Sequence, residues 1–261
     1  MKVAIGFFGI TRSLKYTVES IKQNIFDVLK SYNIDYDVYI HSYRLTTYKN
    51  KRTGECIEDP SEIDNEEYKL LNPQYFTQDN QDEIAIKLNL LSYRTHEDPW
   101  NTQYNSVDNY ILGSYSKHIV TQMIDNNIQE YDYILFVRPD CLYLDKLNVG
   151  YFDLINDTTI VIPDNEGFGV YNLNDRFAIT NSKNFKIYGD IFLSLLNMSK
   201  KKPLHSETIL GDILIGQNKL NIRKVKFNFS RIRCNGTIQD KHITKHYEPY
   251  KHCSLMNSIK N

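Results

Sequence analysis

Lys2 to Phe8 is an almost unbroken apolar run, and Leu14, Val18, Ile21, Ile25 and Val28 then recur at intervals of three and four. That pattern predicts a buried strand, a loop and an amphipathic helix. Asp35 to Ile40 supplies a second strand, and a βαβ start of this kind leads to a parallel, layered sheet. From about Arg44 to Glu67 the chain is polar, charged and punctuated by Gly54 and Pro60, which reads as a long surface excursion, either functional or mobile. Helices are predicted over residues 80–92 and 107–128, the second on Val107, Ile111, Tyr115, Ile119 and Met123. Tyr133 to Val137 is aromatic and β-branched throughout, as in a strand covered on both faces, and so belongs near the centre of the sheet. Downstream come a short strand at Thr158–Ile162, a Gly/Asn/Asp-rich stretch at 164–175, a helix near 183–197, another from Ser206, and a last strand over Ile222–Phe229. No repeat or linker forces a boundary, so the expectation is one α/β domain with a mainly parallel sheet flanked by helices.

Composition narrows the function classes. The 31 lysines and arginines balance 32 aspartates and glutamates, so no net field draws the chain to nucleic acid or an anionic membrane, and an anionic ligand needs a local site. Cys56, Cys141, Cys234 and Cys253 lack the paired short spacings of zinc sites and read as free thiols of a reducing, cytoplasmic compartment. The run VAIGFFGI is followed by Thr11-Arg12-Ser13 instead of a small-residue cleavage site, and no apolar run approaches the ~20 residues of a membrane span.

Candidate chemistry sits where predicted strands end. In "GFFGITR", Gly6, Gly9 and Arg12 offer backbone N–H groups and a guanidinium to a phosphate, or simply make a tight turn, and neither the dinucleotide-binding nor the P-loop glycine spacing is present. His41-Ser42-Tyr43 ends the second strand and can stack on and hydrogen-bond a base, or be ordinary buried polar residues. Arg138-Pro139-Asp140 closes the central strand; Asp140 can hold Mg²⁺ or Mn²⁺ and Arg138 a phosphate, the alternative being a structural ion pair. Asp175 leads out of the turn-rich stretch in either a turn or a catalytic role, and Glu207 lies in a first helical turn, where capping also favours a carboxylate. From the tail, His242, His246 or His252 can each close a metal site.

Four segments, "GFFGITRSLKYTVESIKQNIF", "YDVYIHSY", "YDYILFVRPDCLY" and "LNDRFAI" followed by "HSETILGDIL", resemble glycosyltransferases of the GT-A nucleotide-diphospho-sugar fold, in particular divergent families of surface-polysaccharide loci and large DNA viruses. Arg138-Pro139-Asp140 stands in the place of that fold's Asp-x-Asp metal motif. The resemblance implies a single domain over 1–261, with a nucleotide-binding half to residue 145 and an acceptor-binding half after it. It further implies a nucleotide-sugar donor, a carbohydrate or glycan acceptor and Mn²⁺ or Mg²⁺ at Asp140, with His246 a possible second ligand. Gly9, Arg12, His41 and Ser42 would then cradle the nucleotide. Tyr115 or Lys117 would approach the sugar or diphosphate beside Arg138, and Asp175 and Glu207 would face the acceptor. A sugar nucleotidyltransferase or a non-catalytic nucleotide- or carbohydrate-binding module are the competing expectations.

Overall fold

The computed structural model describes residues 1–165 and 167–239. Along the chain its strands are β1 (Lys2–Phe8), β2 (Asp35–Arg44), β3 (Tyr48–Asn50), β4 (Glu55–Ile57), β5 (Tyr75–Asn80), β6 (Tyr133–Val137) and β7 (Cys141–Tyr143), then β8 (Thr159–Pro163), β9 (Phe177–Asn181), β10 (Asn221–Val225), β11 (Phe229–Ile232) and β12 (Ile238–Gln239). Seven of them form one sheet in the order β10-β8-β9-β6-β1-β2-β5, which puts the predicted central strand, β6, in the middle. All neighbours are parallel except at β9, which runs antiparallel to both β6 and β8. The α-helices are α1 (Leu14–Ile21) and α2 (Asp27–Ser31), joined by a π-helical turn, then α3 (Gln81–Lys87), α4 (Asn105–Asp125), α5 (Phe185–Gly189), α6 (Phe192–Ser199) and α7 (Ser206–Gly211).

The alternation of a strand explains how β1 is covered on both sides. Val3, Ile5 and Phe7 pack with Leu14, Val18, Ile21 and Ile25 on one face, while Ala4 and Phe8 join Val107, Ile111, Val120 and Ile124 of α4 on the other. At Gly6 a Cβ would sit 2.5 Å from Val120 Cγ1, so the missing side chain is what lets α4 lie close on β1.

Several elements depart from the pattern-based expectation, each for a local reason. β2 continues past Ile40 to Arg44 because its far end is paired on both sides, by β1 through His41 and by β5 beyond it. β5 escapes the reading because "YFTQDN" is a half-exposed edge strand without apolar alternation. The single strand expected over 222–229 is two: Lys226-Phe227-Asn228 carries the chain from β10 in the main sheet to β11, which pairs with β7 and β12 in a small second sheet. The excursion after Arg44 contains the β3–β4 hairpin.

Candidate active site

The reversed strand assembles the site. Because β9 runs against β6, its start lies beside the end of β6: Val137 pairs with Phe177, and the Arg138 N–H donates to the Arg176 carbonyl at 3.1 Å. Arg138-Pro139-Asp140 and Asp175-Arg176, 35 residues apart in sequence, thereby share one end of the sheet, next to the loop that follows β1. β7 continues from Asp140 and pairs Cys141 with Arg231 of β11. Arg231 and Arg233, two apart along extended backbone, project to the same side and join the cluster. Lys117 comes from α4, on the face turned to β1.

These elements line an open-mouthed cavity with polar, aromatic and charged side chains. Of the residues singled out from sequence, Gly9, Arg12, Tyr43, Lys117, Arg138, Asp140 and Asp175 line it, Tyr43 with its hydroxyl donating to the Leu112 carbonyl. Arg138 is locked onto Asp140 by a two-point hydrogen bond, Nε to Oδ1 at 2.9 Å and Nη2 to Oδ2 at 2.6 Å. Burial works to raise the Asp140 pKa, but Arg138, Arg12 and Arg233 override it and hold the group well below the usual carboxylate range. Asp175 follows the same logic: burial opposes ionisation and Arg176, Arg138, Lys117 and Arg231 win, leaving it ionised with about a fifth of its side chain exposed. Glu207 goes the other way, raised by burial and by the charge of Asp175, with Arg176 opposing. Burial pulls Lys117 down to about 8, Asp175 resisting and Arg138 adding to the shift.

The β3–β4 hairpin forms one wall through Tyr48, Asn50, Arg52 and Thr53. Its Glu55 is buried and accepts from Arg12 Nε (3.4 Å), Arg233 Nη1 (3.2 Å), the Cys234 N–H (3.0 Å) and Thr53 Oγ1 (2.7 Å), while the Arg12 guanidinium lies 4.4 Å over the Tyr48 ring. Next to the hairpin, with the Arg52 guanidinium 5.9 Å over its ring, Trp100 also lines the cavity, stacked on His205 with ring centroids 5.3 Å apart. Its loop holds Asn101, Gln103 and Tyr104 at φ of 53°, 56° and 66°, left-handed conformations that cost non-glycine residues about 1–3 kcal/mol each in the worst case. The Asp98 carboxylate offsets this by accepting from the Trp100, Thr102 and Tyr104 N–H groups and from Thr102 Oγ1. Asp98→Ala is therefore expected to destabilise the protein by about 1–3 kcal/mol through the orphaned donors. Since Trp100 is the single tryptophan, a shift of its fluorescence before global unfolding in urea checks it directly; an unchanged spectrum and midpoint would count against this role for Asp98.

Other expected site residues lie elsewhere, for identifiable reasons. His41 is fully buried inside β2, with Nδ1 2.7 Å from Ser116 Oγ and Nε2 3.2 Å from Asp79 Oδ2, so neither ring nitrogen reaches a base. Ser42 is likewise buried, its Oγ accepting from Gln78 at 3.4 Å. Tyr115 packs edge-on against His41 and Phe192 and donates to Asp79 at 3.4 Å, turned from the cavity. Gly9 does line the cavity, and its φ of +99° requires glycine, but its N–H is taken by Ser116 Oγ at 2.8 Å and is not free for phosphate. Glu207 stands just behind the wall, 3.7 Å from Arg176 Nη2 and hydrogen-bonded by Ser206. His246 lies outside the described residues. Arg176, Arg231, Arg233, Glu55 and Trp100 were not anticipated. The Arg231-x-Arg233 spacing in an otherwise apolar segment was the one signal in sequence for any of them.

The donor set does not suit a divalent metal. Both Asp140 oxygens are held by Arg138, the neighbouring groups are cations, and among the described residues no three His, Cys, Asp or Glu side chains come together as a metal-holding group. The expected Mn²⁺ or Mg²⁺ at Asp140 therefore finds a guanidinium in its place.

No protein-family model matches the sequence, and no curated protein does. Solved structures do. A glycosyltransferase involved in glycosylation of the major capsid of PBCV-1 matches 87% of this chain and 82% of its own at 7% identity and a TM-score of 0.42. The galactosyltransferase LgtC, in complex with donor and acceptor sugar analogues, matches 86% and 73% at 12% identity and 0.47. A putative glucose-1-phosphate thymidylyltransferase from Bacillus anthracis matches 88% and 89% at 13% identity and 0.38. Likenesses this distant leave function to be argued from the site.

Proposed function

We propose that the protein is a glycosyltransferase that moves a sugar from a nucleoside diphosphate-sugar to an acceptor hydroxyl. The supporting observation is a cavity at the carboxyl ends of β1 and β6 whose charged lining side chains are cationic except for Asp140, which is already paired, and Asp175, which is ionised and open to it. The donor's diphosphate lies against Arg12, Arg138, Arg231 and Arg233, and its sugar points toward Asp175.

In the reaction the bond between the anomeric carbon and the β-phosphate oxygen breaks, and its electron pair stays on that oxygen. The acceptor oxygen forms the new bond to the anomeric carbon and gives up its proton to Asp175. The arginines and Lys117 are fixed before the charge on the leaving group develops, which is where preorganised cations lower a barrier. Glu207 stands on the far side of Arg176, whose guanidinium is 3.7 Å from an oxygen of each acid, so the two carboxylates share one cation beside the proton acceptor.

The test is product analysis after incubation with a panel of UDP-, GDP- and dTDP-sugars and simple glycoside acceptors. One donor is expected to yield its nucleoside diphosphate, faster with acceptor present. Release of inorganic pyrophosphate from a nucleoside triphosphate and a sugar phosphate would replace this reading with nucleotidyl transfer; binding with no product in either assay would replace it with a binding module.

A further inference from the structure

Among the described residues seven cationic side chains line the cavity, Arg12, Arg52, Lys117, Arg138, Arg176, Arg231 and Arg233. Two carboxylates share the wall with them, Asp140 and Asp175, and Glu55 and Glu207 are buried behind it.

A nucleoside diphosphate-sugar carries two negative charges, and the released diphosphate gains a third on its terminal phosphate, whose pKa is about 6. Guanidinium groups line the place where that charge would lie. A divalent metal would have to bind Asp140 beside the guanidinium that already engages both its oxygens, among further cations. Guanidinium groups also suit phosphate by geometry, presenting paired N–H donors where a metal presents a point charge.

We infer, resting on the glycosyltransferase reading, that this site binds its nucleoside diphosphate without a divalent metal, the arginines around Asp140 supplying the neutralisation. Asp140 is then a positioning residue that aims Arg138, and no metal ligand.

The experiment is calorimetric binding of UDP, GDP and dTDP to the full chain, in EDTA and in Mn²⁺, with the electron paramagnetic resonance spectrum of Mn²⁺ followed in parallel. The expected result is one nucleotide whose Kd changes by less than about threefold between the two conditions. Protein should leave the free Mn²⁺ signal at the level of nucleotide alone. A Kd weakened more than about tenfold by EDTA, with Mn²⁺ signal lost on adding protein, would overturn the inference while leaving the glycosyltransferase reading standing. Binding of none of the three in either condition would remove both. Asp140→Asn sharpens the outcome: metal-free binding keeps the nucleotide affinity insensitive to Mn²⁺ in the variant, whereas a metal ligand at this position makes the variant lose an Mn²⁺ enhancement that the parent has. If that variant does not fold, the parent's EDTA and resonance results decide alone.

Discussion

Arg138→Ala is expected to lower turnover of the donor about 10²–10³-fold, the loss seen when one preorganised donor to a developing charge is removed. It should also cost about 3–5 kcal/mol of stability, because Asp140, 2% exposed, is left as a buried carboxylate without its two-point partner. The two effects have different origins, and the double variant Arg138→Ala/Asp140→Ala separates them. Removing the acid as well takes away the stranded charge, so most of the stability should return while turnover stays low. Coupling between such neighbours is what a double-mutant cycle measures. Arg12 and Arg233 still have Glu55 in the double variant, at 3.4 and 3.2 Å, so their own charges are not stranded in turn. Urea unfolding of the four proteins, with the nucleoside diphosphate assay run alongside, provides the check. A double variant as unstable as Arg138→Ala would show that the arginine's packing, and not the orphaned aspartate, carries the loss. Recovery of turnover together with stability would mean that Arg138 serves the fold alone.

How much of this could be seen in the chain beforehand follows from which contacts are local. β1, the helix after it and β6 are legible because each presents an apolar face to the core, and periodicity records that face. β2 and α4 show it only in part, since the buried sides also carry His41, Ser42, Ser116 and Lys117, and of the stripe expected on α4 only Val107 and Ile111 are fully buried. Arg138, Asp140 and Asp175 are legible because a charged residue directly after a buried run has few places to go except a strand end. The direction of β9 is not legible: nothing in Phe177-Ala178-Ile179 says it runs against β6, yet that reversal is what brings Asp175 and Arg176 to Asp140. For the same reason the Arg231-x-Arg233 spacing does not say where the pair goes, since their approach to the cavity depends on β11 leaving the main sheet to pair with β7. Glu55 opens the three-residue strand β4 of a polar hairpin and Trp100 lies in an irregular loop, and each is placed by hydrogen bonds to a single carboxylate, its own or that of Asp98, and not by any repeat. The opposite error, at His41 and Ser42, arose from ending β2 too early: a polar residue inside a strand looks like a strand end until the edge strand that satisfies it, β5, is known.

Nucleotide affinity should fall with rising pH above about 8, and Lys117 is the group responsible. Its side chain comes off α4 with 4% exposure, and its ammonium rests 4.0 Å over the Tyr188 ring and 5.5 Å over Phe8. Burial is the main cause of its lowered pKa, so in the empty cavity the proton leaves near pH 8 instead of near 10.5. A bound diphosphate favours the charged form, so binding above that pH must take up a proton. The Kd for the nucleoside diphosphate that binds should then be flat between pH 7 and 8 and weaken by up to about tenfold per pH unit just beyond, until the pKa of the complex is reached. The terminal phosphate contributes no slope there, being fully ionised above a pKa of about 6. Stability of the unliganded protein moves in the opposite sense. The folded pKa lies below the unfolded one, so between about 8 and 10.5 the unfolded chain binds more protons, and stability due to this group rises with pH. Lys117→Met, which keeps the stem and removes the ammonium, should bind the same nucleoside diphosphate more weakly at pH 7 and flatten the affinity profile above pH 8. The same substitution should raise the unliganded melting temperature at neutral pH, since a desolvated charge has gone. Calorimetry of both proteins from pH 7 to 9.5 tests the assignment: a flat parent profile would place Lys117 away from the diphosphate, and a sloping profile that survives the substitution would give the proton to another group.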